Sequence, residues 1–312
     1  MAKLNTPATA QANRVRSGIV ALIVLTAIYG ITAVMARFFS DSIGLFEQWY
    51  IRFSIALVLM VVVFHRKIRF AYLFQVSRRE RILVAVRGLL GFVVAAGLYA
   101  LSTQYASIAS VAVMQAIPTM ALFGWLILRE TMTARKFSLI LLAFVGALLV
   151  ASRSGVNLSF GYGELLSLAS GALFSLTFVF RKLQTGELNN HELAFATTAY
   201  GVMGNYIMAV LTTHHIVPST PISPLLWLLF LGAGALSVGM SLLSHYGFEH
   251  VKATTASIIL DMELVFGLIF GYLFYREWLT PQQFVGAIII LVATIAMTYL
   301  ESRKTVVAPS PE

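Results

Sequence analysis

The chain has 312 residues, of which 59% are hydrophobic and 11% charged, where a soluble domain carries about a quarter charged residues. That balance excludes an ordinary soluble fold, and the lack of cysteine excludes disulfides, thiolate metal sites and a cysteine nucleophile. A formal charge of +9 can mark a nucleic-acid partner, but here the cations sit in short segments between apolar runs, which points to membrane topology. No nucleic-acid partner is expected.

From the amino terminus, the basic stretch MAKLNTPATAQANRVRSG precedes an apolar run of more than twenty residues, too long for the core of a cleaved signal peptide. Residues 1–16 are read as a cytoplasmic tail and the run as a retained first span. About 20 apolar residues cross a bilayer core, and ten stretches qualify: 17–39, 45–64, 81–102, 107–128, 135–151, 161–180, 191–213, 224–246, 252–275 and 281–300. With the amino terminus inside, 17 Lys and Arg fall in inner segments and 3 (Arg37, Arg153 and Arg276) in outer ones, while Arg52 and Arg87 lie within spans. Short inner loops collect cations, so both termini are expected to be cytoplasmic, in the cell (inner) membrane. The longest loop, HRKIRFAYLFQVSRRER, mixes basic and aromatic residues and reads as a connector along the inner leaflet or as a plain topology anchor. Residues 301–312 read as a polar, disordered tail.

Ionisable groups within spans are costly and need partners. SIILDMELVFG (257–267) in span 9 places Asp261 and Glu263 near the midplane. Two positions of a regular helix are about 200° apart, so at most one of them is expected to face a cavity while the other bridges to Arg52 or Arg87. One reading has both acids in fixed bridges, with Arg52 as a structural ion-pair candidate. The other has Glu263 or Asp261 meeting a substrate ammonium or a coupled proton, with Arg87 receiving a carboxylate.

Aromatic and polar side chains at mid-span, Tyr29, Tyr99, Phe174, Phe178, Tyr200, Tyr206, Gln115, Asn205, Ser241 and His245, are either packing residues or the lining of an amphipathic pocket. Trp49, Trp125, Trp227 and Trp278 fall near span ends, as interfacial belts require. Gly267 and Gly271 form a G-x-x-x-G that permits close helix approach, within one chain or at the seam of a weak dimer. The histidines of HYGFEH fit neither H-E-x-x-H nor H-x-x-E-H, so no metal or cofactor is expected. No P-loop, dinucleotide fingerprint or G-x-S-x-G elbow is present, which argues against an ATP-driven pump or a hydrolase.

The chain repeats at an offset of 147: Tyr99 matches Tyr246, Ala106 Ala253, Ala109 Ala256, Ser110 Ser257, Gly124 Gly271, Leu126 Leu273, Arg129-Glu130 Arg276-Glu277, Thr133 Thr280 and Phe137 Phe284. Each copy, 17–151 and 161–300, holds five spans. An odd number inverts the second copy, the architecture of alternating-access carriers. The Arg-Glu pairs close spans 4 and 9 and read as helix anchors. At the repeat positions of Asp261 and Glu263 the first copy has Met114 and Ala116, so the acids break the symmetry.

The pattern A-x-x-A-S, then Pro118, then L-x-x-x-G-x-L-x-L-R-E-x-x-T, with its second copy ending GYLFYREWLTPQQFVGA, resembles the paired EamA-type repeats of the drug/metabolite transporter superfamily over roughly 17–300. The resemblance implies an all-α membrane protein of ten transmembrane helices in two inverted five-helix repeats, a cavity lined by spans 1, 3, 4, 6, 8 and 9, and amino acids, nucleotide-like metabolites or drugs as substrates. The second copy departs in having Val265 where the first has Pro118, and Tyr29-Gly30 stands where many members carry Trp-Gly. The expectation is a secondary carrier, not an enzyme, that takes a small-molecule substrate by alternating access, with proton coupling as one mode. It is expected to export amino acids, aromatic ones included. Alternatives are import of a nucleoside-like or sulfonium metabolite such as S-adenosylmethionine, multidrug efflux and, last, an intramembrane enzyme.

Overall fold

The computed structural model describes residues 7–39, 43–106, 108–151, 161–216, 222–276 and 278–307. Among these there is no strand. The helices are α1 (Pro7–Phe39), α2 (Leu45–Phe64), α3 (Arg78–Leu89), α4 (Ala96–Tyr105), α5 (Ile108–Gln115), α6 (Thr119–Leu126), α7 (Ala134–Ala151), α8 (Tyr162–Arg181), α9 (Asn190–Thr213), α10 (Pro224–His250), α11 (Ala253–Leu260), α12 (Met262–Tyr275) and α13 (Pro281–Val307). The described residues contain nine helical segments long and apolar enough to cross a membrane, and a shorter apolar one at Ser110–Leu126. Together they account for the ten expected spans. Both outermost helices run further than read from sequence, α1 from Pro7 and α13 to Val307; residues 1–6 and 308–312 of the expected tails lie outside the described residues.

The outer faces carry what water would reject. Val58, Val62, Leu228 and Ile295 are all more than half exposed, as lipid-facing side chains are where backbone polar groups are satisfied within helices. Inside, glycines set the closest approaches. A Cβ at Gly146 of α7 would lie 2.9 Å from the Gly286 carbonyl of α13, and one at Gly286 would lie 2.7 Å from the Gly146 carbonyl. Gly30 of α1 plays the same part against α12, where a Cβ would meet that of Phe266 at 2.9 Å and the Gly267 nitrogen at 3.1 Å. On this seam the close approach is made by Gly30, since a Cβ at Gly267 would meet nothing within 4 Å of its own chain, while Gly271 of the G-x-x-x-G is buried.

Three membrane segments are irregular. Span 3 passes through a π-helical stretch at Leu90–Ala95 between α3 and α4. Its loosened carbonyls are taken up from both sides: Asn205 Nδ2 of α9 donates to Phe92 O at 2.9 Å and Ser170 Oγ of α8 to Ala95 O at 2.7 Å. Span 4, expected as one helix, breaks between α5 and α6, because Pro118 has no N–H to continue the ladder. Span 9 breaks at Asp261 with no proline present; there the Leu264 N–H donates to Asp261 O at 3.1 Å, a tightened turn.

The Arg-Glu anchors act as read, where they are described. Arg129 and its repeat mate Arg276 are both left-handed, at φ 54° and 56°. Glu130 then turns back and caps α11: its carboxylate accepts from Ala253 N at 2.8 Å, Thr254 N at 2.9 Å and Thr254 Oγ1 at 2.9 Å. A carboxylate over free N–H groups at a helix start satisfies them and suits the helix dipole. Glu277 lies outside the described residues.

Candidate functional site

Asp261 and Glu263 flank the interruption of span 9, eight and ten residues past the capped start of α11. Asp261 is half-buried and Glu263 exposed, although both lie mid-span. The Glu263 carboxylate is within electrostatic reach of the hydroxyls of Tyr29 on α1 and Tyr99 on α4, and of Asp261 beside it. Tyr99 is itself 41% exposed. Around the break in span 9 this brings together one exposed carboxylate, a second acid next to it and, within their electrostatic reach, two tyrosines.

The expected arginine bridges are absent. Among the described residues neither acid is in an ion pair or a side-chain hydrogen bond. Arg87 is buried at the basic end of the bundle, where Nε donates to Thr177 O at 2.9 Å and an Nη to Gln184 Oε1 at 3.0 Å. Thr177 belongs to the last turns of α8, whose carbonyls carry the negative end of the helix dipole. Arg52 of α2 lies with its guanidinium 4.9 Å from the Phe53 ring centroid, and its Nε has no partner among the described residues. Both arginines are thus removed from the acid site.

The remaining candidates divide in the same way. Gln115, at the end of α5, donates to Ser167 O at 3.0 Å and so ties the broken span 4 to α8. Phe178 stacks on Phe248 at 4.2 Å within the core. Ser241 is buried between α10 and α9, sharing a hydrogen bond with Thr198 and donating to Ala194 O, each at 3.4 Å. His245 is buried, with Nδ1 donating to the Ser241 carbonyl at 2.7 Å and Nε2 unpaired among the described residues. Tyr206 pairs edge-on with Tyr50, and Tyr200 packs in the core under the α2–α3 connector.

Sequence reasoning missed the polar fastening of span 4, where Thr119 shares a 2.7 Å hydrogen bond with Ser175 of α8. It also missed the buried pair of Lys136 Nζ with Glu301 at 3.2 Å, joined by Lys252 at 2.8 Å. The signal for the first was available: Gly163, Ser167, Gly171 and Ser175 each lie four apart, a small-residue face fit for close helix contact. No cluster of three His, Asp or Glu side chains suited to a metal occurs among the described residues.

Residues 16–152 and 161–299 each match the EamA-like transporter family. Over 177 residues the chain is 29% identical to an uncharacterized transporter of Archaeoglobus fulgidus, a match covering 57% of this chain and 55% of that protein. The chain thus spans about half the length of that relative. It is 24% identical over 267 residues to the uncharacterized transporter sll1164 of Synechocystis, covering 80% of this chain and 74% of the relative. A crystal structure superposes with a TM-score of 0.76 over 93% of this chain and 98% of its own, at 12% identity. That likeness is one of fold.

Proposed function

Because the chain belongs to the EamA-like transporter family, we propose that it is a secondary-active exporter of amino acids and related amines, working by alternating access at the Glu263 site. The observation that carries this reading is the exposed, unpaired Glu263 carboxylate within electrostatic reach of Tyr29 and Tyr99. A carboxylate beside aromatic rings suits an ammonium group on an apolar or aromatic body. A lone carboxylate at membrane depth also suits a coupled proton, since it exchanges between neutral and charged forms as its surroundings change. The two inverted halves and the broken spans 4 and 9 fit rocking of one half against the other. Orientation follows the cations, with both termini in the cytoplasm of a cell whose inner membrane holds the protein.

A second reading, a carrier of cationic metabolites such as sulfonium compounds or drugs, is favoured by the removal of Arg52 and Arg87 from the acids. No arginine is then at hand for a substrate carboxylate. Flux into proteoliposomes separates the two: aromatic amino acids and their decarboxylated amines are compared, with and without a pH gradient. The amino-acid reading expects flux of the amino acids that Glu263→Gln abolishes. Movement of the amines alone shifts the assignment to cations, and flux unaffected by Glu263→Gln removes the site.

A further inference from the structure

We propose that the connector joining α2 to α3 is a docking surface for the headgroups of anionic phospholipids, with Phe74 set into the acyl boundary. Residues Phe70–Phe74 form a single 3₁₀ turn. Phe74 is 80% exposed, the highest value among the large apolar side chains described. Around it Arg66, Lys67, Arg78, Arg79 and Arg81 are all exposed. The helices on either side are lipid-facing where they meet the connector, through Val62 and Val63 at the end of α2 and Ile82 at the start of α3.

The platform is held rigidly, so its charge pattern is fixed. Arg69 Nε and Nη2 clasp the Glu192 carboxylate at 2.7 and 2.9 Å, Asn189 donates to Lys67 O at 3.0 Å, and the Ser77 N–H donates to Glu187 at 2.8 Å. Val76 is buried against Leu188 and Leu193. These bonds also engage the local acids. Glu80 is fully buried and accepts from Thr185 N and Oγ1 at 2.9 and 3.0 Å, Glu187 is engaged by Ser77 and Thr185, and Glu192 by Arg69. With the acids so engaged, the connector's exposed cations and the Phe74 ring remain open to a partner. A surface that offers both negative charge and hydrocarbon answers that pattern, and the anionic bilayer interface is such a surface.

The sequence has no cysteine, so Gln75→Cys gives the full chain one site for an environment-sensitive fluorophore beside Phe74. The labelled protein is placed in nanodiscs of phosphatidylcholine alone or mixed with phosphatidylglycerol, and retained lipid is measured in parallel by native mass spectrometry. The expected result is a blue-shifted, brighter probe in the anionic discs. The difference should collapse when salt rises from about 0.1 M to about 1 M and the screening length falls to about 3 Å. Arg66→Gln/Arg78→Gln/Arg81→Gln should lower retained phosphatidylglycerol by about tenfold or more, since each surface cation contributes about fivefold. Arg14→Gln/Arg16→Gln/Arg135→Gln, the same charge removed elsewhere on the basic end, should retain it. Equal probe signals in the two disc types, or equal loss in both triple variants, would overturn the proposal. Unchanged thermal unfolding in detergent shows that each variant is folded.

Discussion

Spans 4 and 9 are the same piece of the repeat, and both are broken, but for different reasons and with different contents. Span 4 breaks at Pro118, where a missing N–H makes the interruption unavoidable, and its break is lined by Met114, Gln115 and Ala116 and fastened to α8 through Gln115 and Thr119. Span 9 has Val265 at the proline position and breaks four residues earlier, at Asp261, in a turn closed by the Leu264 N–H. There the lining is two carboxylates with no basic partner among the described residues. One half of the molecule thus carries a fixed break and the other an open, charged one. The repeat supplies the break twice, and the two acids stand in one copy only.

The sharpest test of that contrast rewrites span 9 as span 4. Asp261→Met/Glu263→Ala should abolish flux in proteoliposomes while leaving the protein at least as stable to heat in detergent. An unpaired acid at membrane depth costs about 2.5–3.5 kcal/mol on insertion scales, and that cost disappears. A fall in stability would mean that the acids have structural partners. Next in size, Gly30→Ala should destabilise by about 1–3 kcal/mol, because the new Cβ falls 2.9 Å from that of Phe266 and a tight seam must part. It should also weaken substrate binding measured by thermal shift, as Tyr29 moves with it. Glu130→Ala leaves Ala253 and Thr254 N–H without their acceptor, at about 1–2 kcal/mol; the change is expected in unfolding by denaturant, and Glu130→Gln should recover part of it.

The smallest effect lies outside the membrane and serves as a control on the acids within it. Hydrogen bonds from Ser77 and then Thr185 hold the Glu187 carboxyl below its ordinary range. The folded protein therefore favours the ionised form. The resulting stability is present above the ordinary glutamate pKa of about 4.3 and is lost as pH falls through the lowered folded value. Glu187→Gln should remove this part of the acid limb of a melting-temperature profile and leave the pH dependence of transport untouched.

The architecture was legible because its signals are long: apolar runs of membrane length, a cation bias and a repeat that includes Arg129-Glu130 and Arg276-Glu277. The anchoring role of Glu130 was legible from the same symmetry. The partners of the arginines were not. Reasoning from charge alone sent Arg87 to a carboxylate, whereas a guanidinium is equally served by carbonyls in the last turns of a helix, and Thr177 O fills that need. The break at Asp261 was also hidden, since no glycine or proline marks it, and the 200° argument presumed a regular helix across it. The π stretch of span 3 left only indirect traces, Asn205 and Ser170, whose partners are backbone atoms that no residue pattern reveals.

The Gly146–Gly286 crossing sets a mechanical limit. Each backbone sits so near the other that a single added carbon would fall 2.7–2.9 Å from a carbonyl oxygen, so α7 and α13 cross with no side chain between their backbones. If the halves rock as proposed, this pair is where they stay in contact. It would then be the fulcrum, with the give in spans 4 and 9, where the ladder is already cut.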